Sequence, residues 1–457
     1  MNTNSFSTLP LSKPMLHNLN ELGFSEMTPV QAESLPHILK NEDVIAEAKT
    51  GSGKTVAFGI GVLNKLYVKK FRVQSLVLCP TRELADQVAK ELRQLARAAH
   101  NVKILTLCGG VAFEPQLGSL RHEAHVIVGT PGRVLKHLDK GSLSLNDLEL
   151  LILDEADRML DMGFIDDIKR IISYAPKRRQ TLLFSATYPE EIGSLSASIQ
   201  EKAVSIKTTS REVANKITEY FYESKPNEKL SALNKILCHY KPKNVIVFTN
   251  MKSQAQEISN HLRRNGIDAL AIHGDLEQYE RNDVLVQFAN ESCSVLVATD
   301  VAARGLDIKD LAMVVNYDLS HDEVTYTHRI GRTGRAGETG IAVTLYSGLD
   351  AHKVGDYQND TRIFKDVSGL SENKNFRMVA SNITLVIEGG KKDKIRPGDI
   401  LGALTGERGI AGKLVGKIAV YDRQSYVAIE RSMIEEAHAL IQHGKIKGRK
   451  FSAWILK

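Results

Sequence analysis

The stretch AEAKTGSGKT, residues 46–55, decides how the first half of this chain folds. A glycine-rich turn that ends in Lys and Thr points backbone N–H groups and a helix N-terminus at phosphate oxygens. Such a loop joins a strand to a helix, so we expect alternating strands and helices around it. Lys54 is expected to reach the phosphates and Thr55 to hold Mg²⁺. We expect the whole loop to bind a nucleotide: Ala48, Lys49, Thr50, Gly51, Ser52, Gly53, Lys54 and Thr55.

The flanking sequence has the expected alternation. Five apolar, β-rich runs read as buried strands: SLVLCP (75–80), VKILTLC (102–108), HVIVGT (125–130), LELLILD (148–154) and QTLLFSAT (180–187). Between the first two, Leu84, Val88 and Leu92 recur at helical spacing. This order predicts an α/β fold with a parallel sheet covered on both faces.

The alternation pauses once and then repeats. Residues 207–218 are polar, and strands such as NVIVFTN and SVLVATD follow. We predict two α/β domains at 1–206 and 219–350, joined by a linker at 207–218. A second linker, 351–381, precedes a third domain at 382–457, where ITLVIE, GKIAVYD, SYVAIE and FSAWILK alternate with two helices. Its order, βαββαβ, resembles an RRM-type α+β domain.

Adjacent carboxylates follow one predicted strand, in LILDEADRML (151–160). Asp154 can lie in the shell of a Mg²⁺ ion, and Glu155 can orient an attacking water. Together with Lys54, this pair suffices for phosphoryl transfer, which needs mainly positioning and charge neutralisation.

The remaining motifs occur in a fixed series. FSEMTPVQ (24–31), PTRELA (80–85), GG (109–110), TPGR (130–133), DEAD (154–157), SAT (185–187), ATDVAARGLD (298–307) and HRIGRTGR (328–335) follow one another along residues 1–350. In this order the chain resembles the DEAD-box RNA helicases. The resemblance implies two tandem RecA-like domains, ATP with Mg²⁺ as cofactors, and RNA as partner.

The resemblance also implies residue roles. Phe24, Thr28 and Gln31 would recognise adenine, and Asp307 would approach the ribose. Arg332 and Arg335 would be arginine fingers beside the catalytic Lys54, Asp154 and Glu155. Coupling of hydrolysis to RNA would fall to Asp157, Ser185, Thr187 and His328. The RNA backbone would be lined by Arg82, Gly110, Thr130, Arg133, Thr299 and Arg304.

Positive charge is concentrated at the C-terminal end. The net charge is +6, and residues 382–457 contain 14 Lys and Arg against 8 Asp and Glu, so the rest of the chain is neutral. Such a surplus indicates a polyanionic partner. IEGGKKDKIRPGDILGALTG (387–406) and GKIKG (444–448) resemble the RRM-like domain of the bacterial DbpA subfamily.

That resemblance implies that the third domain directs a local, short-duplex helicase to large-subunit ribosomal RNA in pre-ribosomal particles. We place recognition on two basic segments and one ring: Lys391, Lys392, Lys394, Arg396, Tyr426, Lys445, Lys447, Arg449 and Lys450. The alternative is a general RNA helicase or chaperone with a nonspecific basic tether. A DNA translocase and a non-enzymatic RNA clamp fit the motifs less well.

Composition bounds the setting. Apolar residues make up 42% and charged residues 25% of the chain, which is ordinary for a soluble globular protein. Four widely spaced cysteines, with no CxxC pair, argue against structural zinc and a disulfide framework. We expect a cytoplasmic monomer with no membrane partner.

Overall fold

The computed structural model of this chain describes residues 4–48, 51–208, 216–303, 308, 311–334, 339–359, 361–373, 375–406 and 409–456. These divide into two compact units, the first before residue 209 and the second from residue 216 onward. No helix in these ranges is long and apolar enough to cross a membrane.

The first unit is built on a parallel sheet of seven strands in the order β3-β4-β2-β5-β6-β1-β7. Its strands are β1 (Val44–Glu47), β2 (Ser75–Leu78), β3 (Ile104–Leu107), β4 (Val126–Gly129), β5 (Leu150–Asp154), β6 (Gln180–Ser185) and β7 (Val204–Lys207). Alternate residues enter different cores, since Val77 packs in one cluster and Leu76 in the other. Burial of both faces explains the continuous apolar runs in the sequence.

Nine helices cover this sheet within the described residues of the first unit. They are α1 (Lys13–Glu21), α2 (Pro29–Leu39), α3 (Lys54–Lys65), α4 (Arg82–Leu95), α5 (Phe113–Leu120), α6 (Pro131–Asp139), α7 (Ala156–Asp161), α8 (Ile165–Ser173) and α9 (Glu190–Ile199). The helix α4 begins where Thr81 Oγ1 accepts a hydrogen bond from the backbone of Leu84 (3.3 Å). That cap places Arg82 in the first turn of the helix, at the carboxyl end of β2.

The second unit repeats the design with seven parallel strands in the order β10-β11-β9-β12-β13-β8-β14. They are β8 (Lys216–Glu223), β9 (Val245–Thr249), β10 (Ala269–Ile272), β11 (Val295–Thr299), β12 (Met313–Asn316), β13 (Thr339–Tyr346) and β14 (Ile363–Asp366). The helices that accompany this sheet are α10 (Lys229–Tyr240), α11 (Lys252–Arg264), α12 (Gln278–Ala289), α13 (Asp300–Ala303), α14 (Glu323–Ile330) and α15 (Ala351–Val354). The predicted pair of parallel-sheet domains is therefore confirmed.

Part of the segment predicted as a linker, residues 351–381, is instead a strand of this sheet. The strand β14 pairs with β8, and the ring of Phe364 lies 4.9 Å from that of Phe221. Arg362 joins it to the sheet, because its Nε donates to Glu219 (2.8 Å). The prediction was wrong there because an edge strand has only one neighbour and carries no continuous apolar run.

The C-terminal domain has the predicted order βαββαβ. Its elements are β15 (Asn382–Ile387), α16 (Pro397–Leu404), β16 (Val415–Val420), β17 (Ser425–Glu430), α17 (Ile434–His443) and β18 (Ala453–Ile455). The antiparallel sheet has the order β16-β17-β15-β18, and both helices pack on one face through Ile400 and Ile441. The predicted small α+β domain is confirmed.

Candidate functional site

The glycine-rich loop lies at the carboxyl edge of the first sheet, between β1 and α3. The ammonium of Lys54 is buried, with 6% of the residue exposed, and donates to the carbonyl of Ala48 (3.0 Å). The hydroxyls of Thr28 and Ser52 are buried without a hydrogen-bond partner among the described residues. Buried hydroxyls without partners are costly, so these atoms fit a bound polar ligand such as a nucleotide. Lys49 and Thr50 lie outside the described residues.

Gln31 braces this loop. Its Oε1 accepts from the backbone N–H of Thr28 (2.9 Å), and its Nε2 donates to the carbonyl of Gly53 (3.0 Å). Gly53 has a φ of +93°, and a Cβ there would lie 2.4 Å from Nε2 of Gln31. Both polar ends of the Gln31 side chain are thus used within the protein, and its role toward adenine stays a prediction, as does that of half-buried Phe24.

The two carboxylates lie at the same edge, since β5 ends at Asp154 and runs parallel to β1. Only 3% of Asp154 is exposed, and burial raises the pKa of its carboxyl to about 7, although nearby Lys54 lowers it. A carboxylate with this cost of desolvation is one that a bound cation would stabilise. Asp154 and half-buried Thr55 can therefore hold Mg²⁺, while Glu155 occupies a left-handed turn (φ +52°).

The predicted coupling residues of the first unit are in contact. Oδ2 of Asp157 accepts from the backbone N–H (3.0 Å) and the hydroxyl (2.9 Å) of Thr187. The hydroxyl of Ser185 accepts from the backbone N–H of Asp157 (3.2 Å). The segment after β5 and the segment after β6 are therefore linked by hydrogen bonds, so a displacement of one segment would move the other.

The predicted RNA residues of the first unit meet beside β4. Arg133 donates to the carbonyl of Val111 (2.9 Å) and to Oε1 of Gln116 (2.9 Å). The guanidinium of Arg82 lies against Gly110, which has a φ of +72°. Thr130 directly precedes the first residue of α6. These residues follow the carboxyl ends of the neighbouring strands β2, β3 and β4, and Thr130 is buried; their role toward RNA stays a prediction.

In the second unit, one deeply buried charge is a residue that the sequence did not indicate. Arg329 is 1% exposed and binds both oxygens of Asp300 (2.7 Å each). It also donates to Asn250 Oδ1 (2.8 Å) and to the carbonyl of Asp318 (2.7 Å), and so fixes α14 against three strand ends. Its place inside HRIGRTGR was the only signal available.

Arg329 thereby holds the helix that carries His328 and ends just before Arg332. Arg332 is half-buried, and Thr299 is 7% exposed at the end of β11. Their roles toward nucleotide and RNA stay predictions. Arg304, Asp307 and Arg335 lie outside the described residues.

The two basic segments of the C-terminal domain lie together. The ammonium of Lys447 donates to the carbonyl of Lys394 (2.9 Å) and pairs with Asp399 (3.2 Å), while Arg449 pairs with Asp393 (3.1 Å). All eight predicted basic residues are exposed: Lys391, Lys392, Lys394, Arg396, Lys445, Lys447, Arg449 and Lys450. Segments some fifty positions apart in sequence thus form one surface, which we call the basic surface.

Tyr426 does not belong to that surface, which corrects its assignment as an RNA-binding residue. It is 6% exposed and packs with Val386 against Val286 of α12. Its hydroxyl donates to Asp283 (2.8 Å). The sheet face that would otherwise present this ring is covered by a helix of the same unit, so Tyr426 cannot stack on a base.

Similarity to known proteins agrees with this architecture. Models of three families match in turn: DEAD/DEAH box helicase at residues 28–195, helicase conserved C-terminal domain at 228–337, and DbpA RNA binding domain at 384–455. The chain is 49% identical to the ATP-dependent RNA helicase DbpA of Escherichia coli, over 99% of this chain and 100% of that protein. The chain belongs to the DEAD-box ATP-dependent RNA helicases.

Other DEAD-box helicases share less of the chain. The helicase CshA of Geobacillus kaustophilus is 42% identical over 78% of this chain and 77% of its own length. The structure of Saccharomyces cerevisiae Dbp5 bound to RNA and ADP BeF3 has a TM-score of 0.72 and 29% identity, and covers 80% of this chain and 96% of that one. The structure of Mss116p bound to ssRNA and AMP-PNP has a TM-score of 0.70 and 26% identity, over 78% of this chain and 77% of that one. This DEAD-box helicase is thus an ATP-using enzyme with an additional RNA-binding domain of the DbpA type.

Gln116 and His137 also escaped the sequence analysis. Oε1 of Gln116 accepts from Nε2 of His137 (3.2 Å) as well as from Arg133, and its Nε2 donates to the carbonyl of Cys108 (2.9 Å). Burial, followed by nearby Arg133, lowers the pKa of His137 to about 4, so the ring is neutral near pH 7. These side chains orient Arg133, and no motif in the sequence marks them.

Proposed function

We propose that this DEAD-box helicase hydrolyses ATP in response to RNA, opens short RNA duplexes, and is directed to large-subunit ribosomal RNA during ribosome assembly. The basic surface carries this proposal, because it unites nearly all of the surplus charge of the chain in one exposed patch. A helicase core that contacts phosphates has little sequence preference, so a separate domain must select the RNA. The proposed setting is the cytoplasm, with the protein acting as a monomer on pre-ribosomal particles.

The residues of the nucleotide site have separate tasks in this proposal. Lys54 and the glycine-rich loop hold the phosphates, and Thr55 with Asp154 holds Mg²⁺, which neutralises charge on the transferring phosphoryl group. Glu155 positions the attacking water. Because Arg332 belongs to the other helicase domain, hydrolysis requires RNA to favour a conformation in which both domains contribute.

Steady-state ATP turnover with and without RNA tests this part. We expect turnover to rise with added RNA, and Glu155→Gln to lower RNA-stimulated turnover by about 10²-fold or more, since general-base assistance contributes at least that much. The variant should still bind ATP and RNA. Equal turnover of the wild type with and without RNA would contradict the proposal.

Targeting is better tested by substitution than by truncation. Removing the C-terminal domain would expose Val286 and leave Asp268 without Arg431, whose guanidinium pairs with it (2.6 Å). The double variant Lys391→Ala/Lys392→Ala lowers the charge of the basic surface and leaves this junction intact. Lys13→Ala/Lys169→Ala, at exposed positions of the first unit, makes the same charge change elsewhere.

The assay is ATPase activation by a large-subunit ribosomal RNA fragment and by an unrelated structured RNA of equal length. Because the proposal has only the ribosomal fragment fitting the basic surface, loss of two of its charges should raise the half-activating concentration of that fragment about tenfold, with little effect on the other RNA. The first-unit control should respond to both RNAs as the wild type does. Equal weakening toward both RNAs would support a nonspecific tether instead.

A further inference from the structure

The sheet of the C-terminal domain is covered along one stripe of α12. Asn290 donates to the hydroxyl of Thr384 (3.2 Å), Val286 packs on Tyr426, and Asp283 accepts from the hydroxyl of Tyr426. Positions 283 and 286 of α12, and position 290 directly after its last residue, have the spacing of a single helix face. The helix therefore runs along the sheet, with its C-terminal end over Thr384.

Tyr279 continues this stripe by one turn. It precedes Asp283 by four residues, so it lies on the same helix face. Asp283 contacts Tyr426, which pairs with Val386, whereas Asn290 contacts Thr384, two residues earlier in β15. The N-terminal end of α12 therefore lies toward the C-terminal end of β15. There the sheet no longer covers the helix, and Tyr279 is 67% exposed.

A second exposed ring lies at the same end of the sheet. Ala419 pairs with Tyr426 across the strands, and Tyr421, two residues on, points to the same face. The ring of Tyr421 meets that of Tyr426 edge-on, with 5.5 Å between centroids, and Tyr421 is 48% exposed. Two partly exposed tyrosines thus flank the point where the covered face ends.

Positive groups stand beside these rings. The backbone N–H of Lys391 donates to the carbonyl of Tyr421 (2.8 Å), and that of Lys392 to the carbonyl of Asp422 (2.9 Å). Lys391, Lys392 and Arg423 are exposed, and none of the three forms an ion pair with another described residue. Lys391 of the basic surface is therefore joined directly to Tyr421 by a backbone hydrogen bond.

Three of the nearby acidic groups are engaged locally. Glu280 accepts from the backbone N–H of Glu277 (2.8 Å) at the start of α12, and Asp283 accepts from Tyr426. Asp393 accepts from the backbone N–H of Gly390 (3.2 Å) and pairs with Arg449. Asp422 and Glu388 are also exposed at this end of the sheet, so Lys391, Lys392 and Arg423 together give it a small excess of positive charge.

We propose that Tyr279 and Tyr421 form a stacking site for unpaired RNA bases, while Lys391, Lys392 and Arg423 hold the adjoining phosphates. Aromatic rings beside cationic groups are the usual platform for single-stranded RNA, and stacking tolerates any base. RRM domains commonly stack bases on the sheet face; here α12 covers Val386 and Tyr426 on that face, and the two exposed tyrosines lie beside the covered part. The site rests on RNA binding by the basic surface, and takes a single-stranded segment next to the structured RNA bound there.

The test uses the full chain and two RNAs, a blunt hairpin and the same hairpin with a single-stranded extension of about eight nucleotides. The extension contains 2-aminopurine, whose fluorescence falls when the base stacks. Tyr279→Ala and Tyr421→Ala should each weaken binding of the extended hairpin about fivefold or more and reduce the quenching. Binding of the blunt hairpin should stay unchanged.

Two controls separate stacking from other effects. Tyr279→Phe and Tyr421→Phe retain the ring and should behave as the wild type. Tyr67→Ala removes a tyrosine of comparable exposure, 61%, in the first unit and should have no effect.

The proposal is overturned if both Ala variants bind and quench as the wild type does, or if the Phe variants lose affinity like the Ala variants. Equal weakening toward the blunt hairpin also overturns it. Any of these results can occur while ribosomal RNA still activates ATPase selectively, so failure of the stacking site is distinguishable from failure of the proposed targeting.

Discussion

Replacing Gly110 with alanine should displace Arg82 and weaken RNA binding. The only loss of folding stability should be the cost of placing alanine in a left-handed backbone conformation. Gly110 has a φ of +72°, and a Cβ there would lie 1.5 Å from Nη1 and 2.1 Å from Cζ of Arg82. The obstructed atoms are the end of a flexible side chain, so the guanidinium must move away. Gly141 is the matched control, because its φ is +65° and nothing lies within 4 Å of its Cβ position.

Both variants place alanine in a left-handed conformation, which costs about 1–2 kcal/mol of folding free energy. Only Gly110→Ala should also lose one phosphate contact. We expect its affinity for single-stranded RNA to fall about tenfold, equivalent to about 1.4 kcal/mol. The plot of log affinity against log salt should become shallower by about 0.7, the contribution of one released counterion on a single strand.

Fluorescence anisotropy of a labelled single-stranded RNA, titrated over a range of salt concentrations, measures both quantities. Thermal unfolding of the two variants should show similar losses of stability. If Gly110→Ala binds RNA with the same affinity and salt dependence as Gly141→Ala, Arg82 does not contact phosphate and the assignment fails.

Three further predictions concern other parts of the molecule. Tyr426→Phe removes the hydrogen bond to Asp283 and should lower the free energy of unfolding of the second unit by about 1–2 kcal/mol, with little change in RNA affinity; calorimetry showing no shift would mean that this buried hydrogen bond does not stabilise the fold. Arg332→Ala should reduce RNA-stimulated ATP turnover by about 10³-fold and change ATP affinity only a few-fold, so near wild-type turnover would mean that the finger is misassigned. Because the pKa of His137 is about 4 in the fold and about 6.5 when unfolded, the unfolded chain takes up an extra proton between these values. The free energy of unfolding should therefore fall with decreasing pH by up to about 1.4 kcal/mol per pH unit from this group. Urea unfolding at several pH values should show that this free energy depends less steeply on pH in His137→Gln than in the wild type; the same pH dependence in both would refute this.

Local patterns were enough to predict the two parallel sheets and the order of the C-terminal domain. A strand buried on both faces must be apolar throughout, and a phosphate loop must follow a strand and precede a helix. The residues after parallel strands meet at one edge, so Lys54 and Asp154 could be assigned to one site before their distances were known, whereas Ser185 was assigned only through the resemblance to DEAD-box helicases. These are short-range consequences of chain geometry.

The tertiary structure alone decided what covers each surface. The sequence places Tyr426 on the open face of its sheet, but only the fold brings α12 over that face and buries the ring. The strand β14 and the buried Arg329 were missed for a related reason, because their stability comes from partners many positions away. Periodicity reports which side of an element is apolar, whereas the identity of the group packed against it depends on long-range contacts that no local pattern encodes.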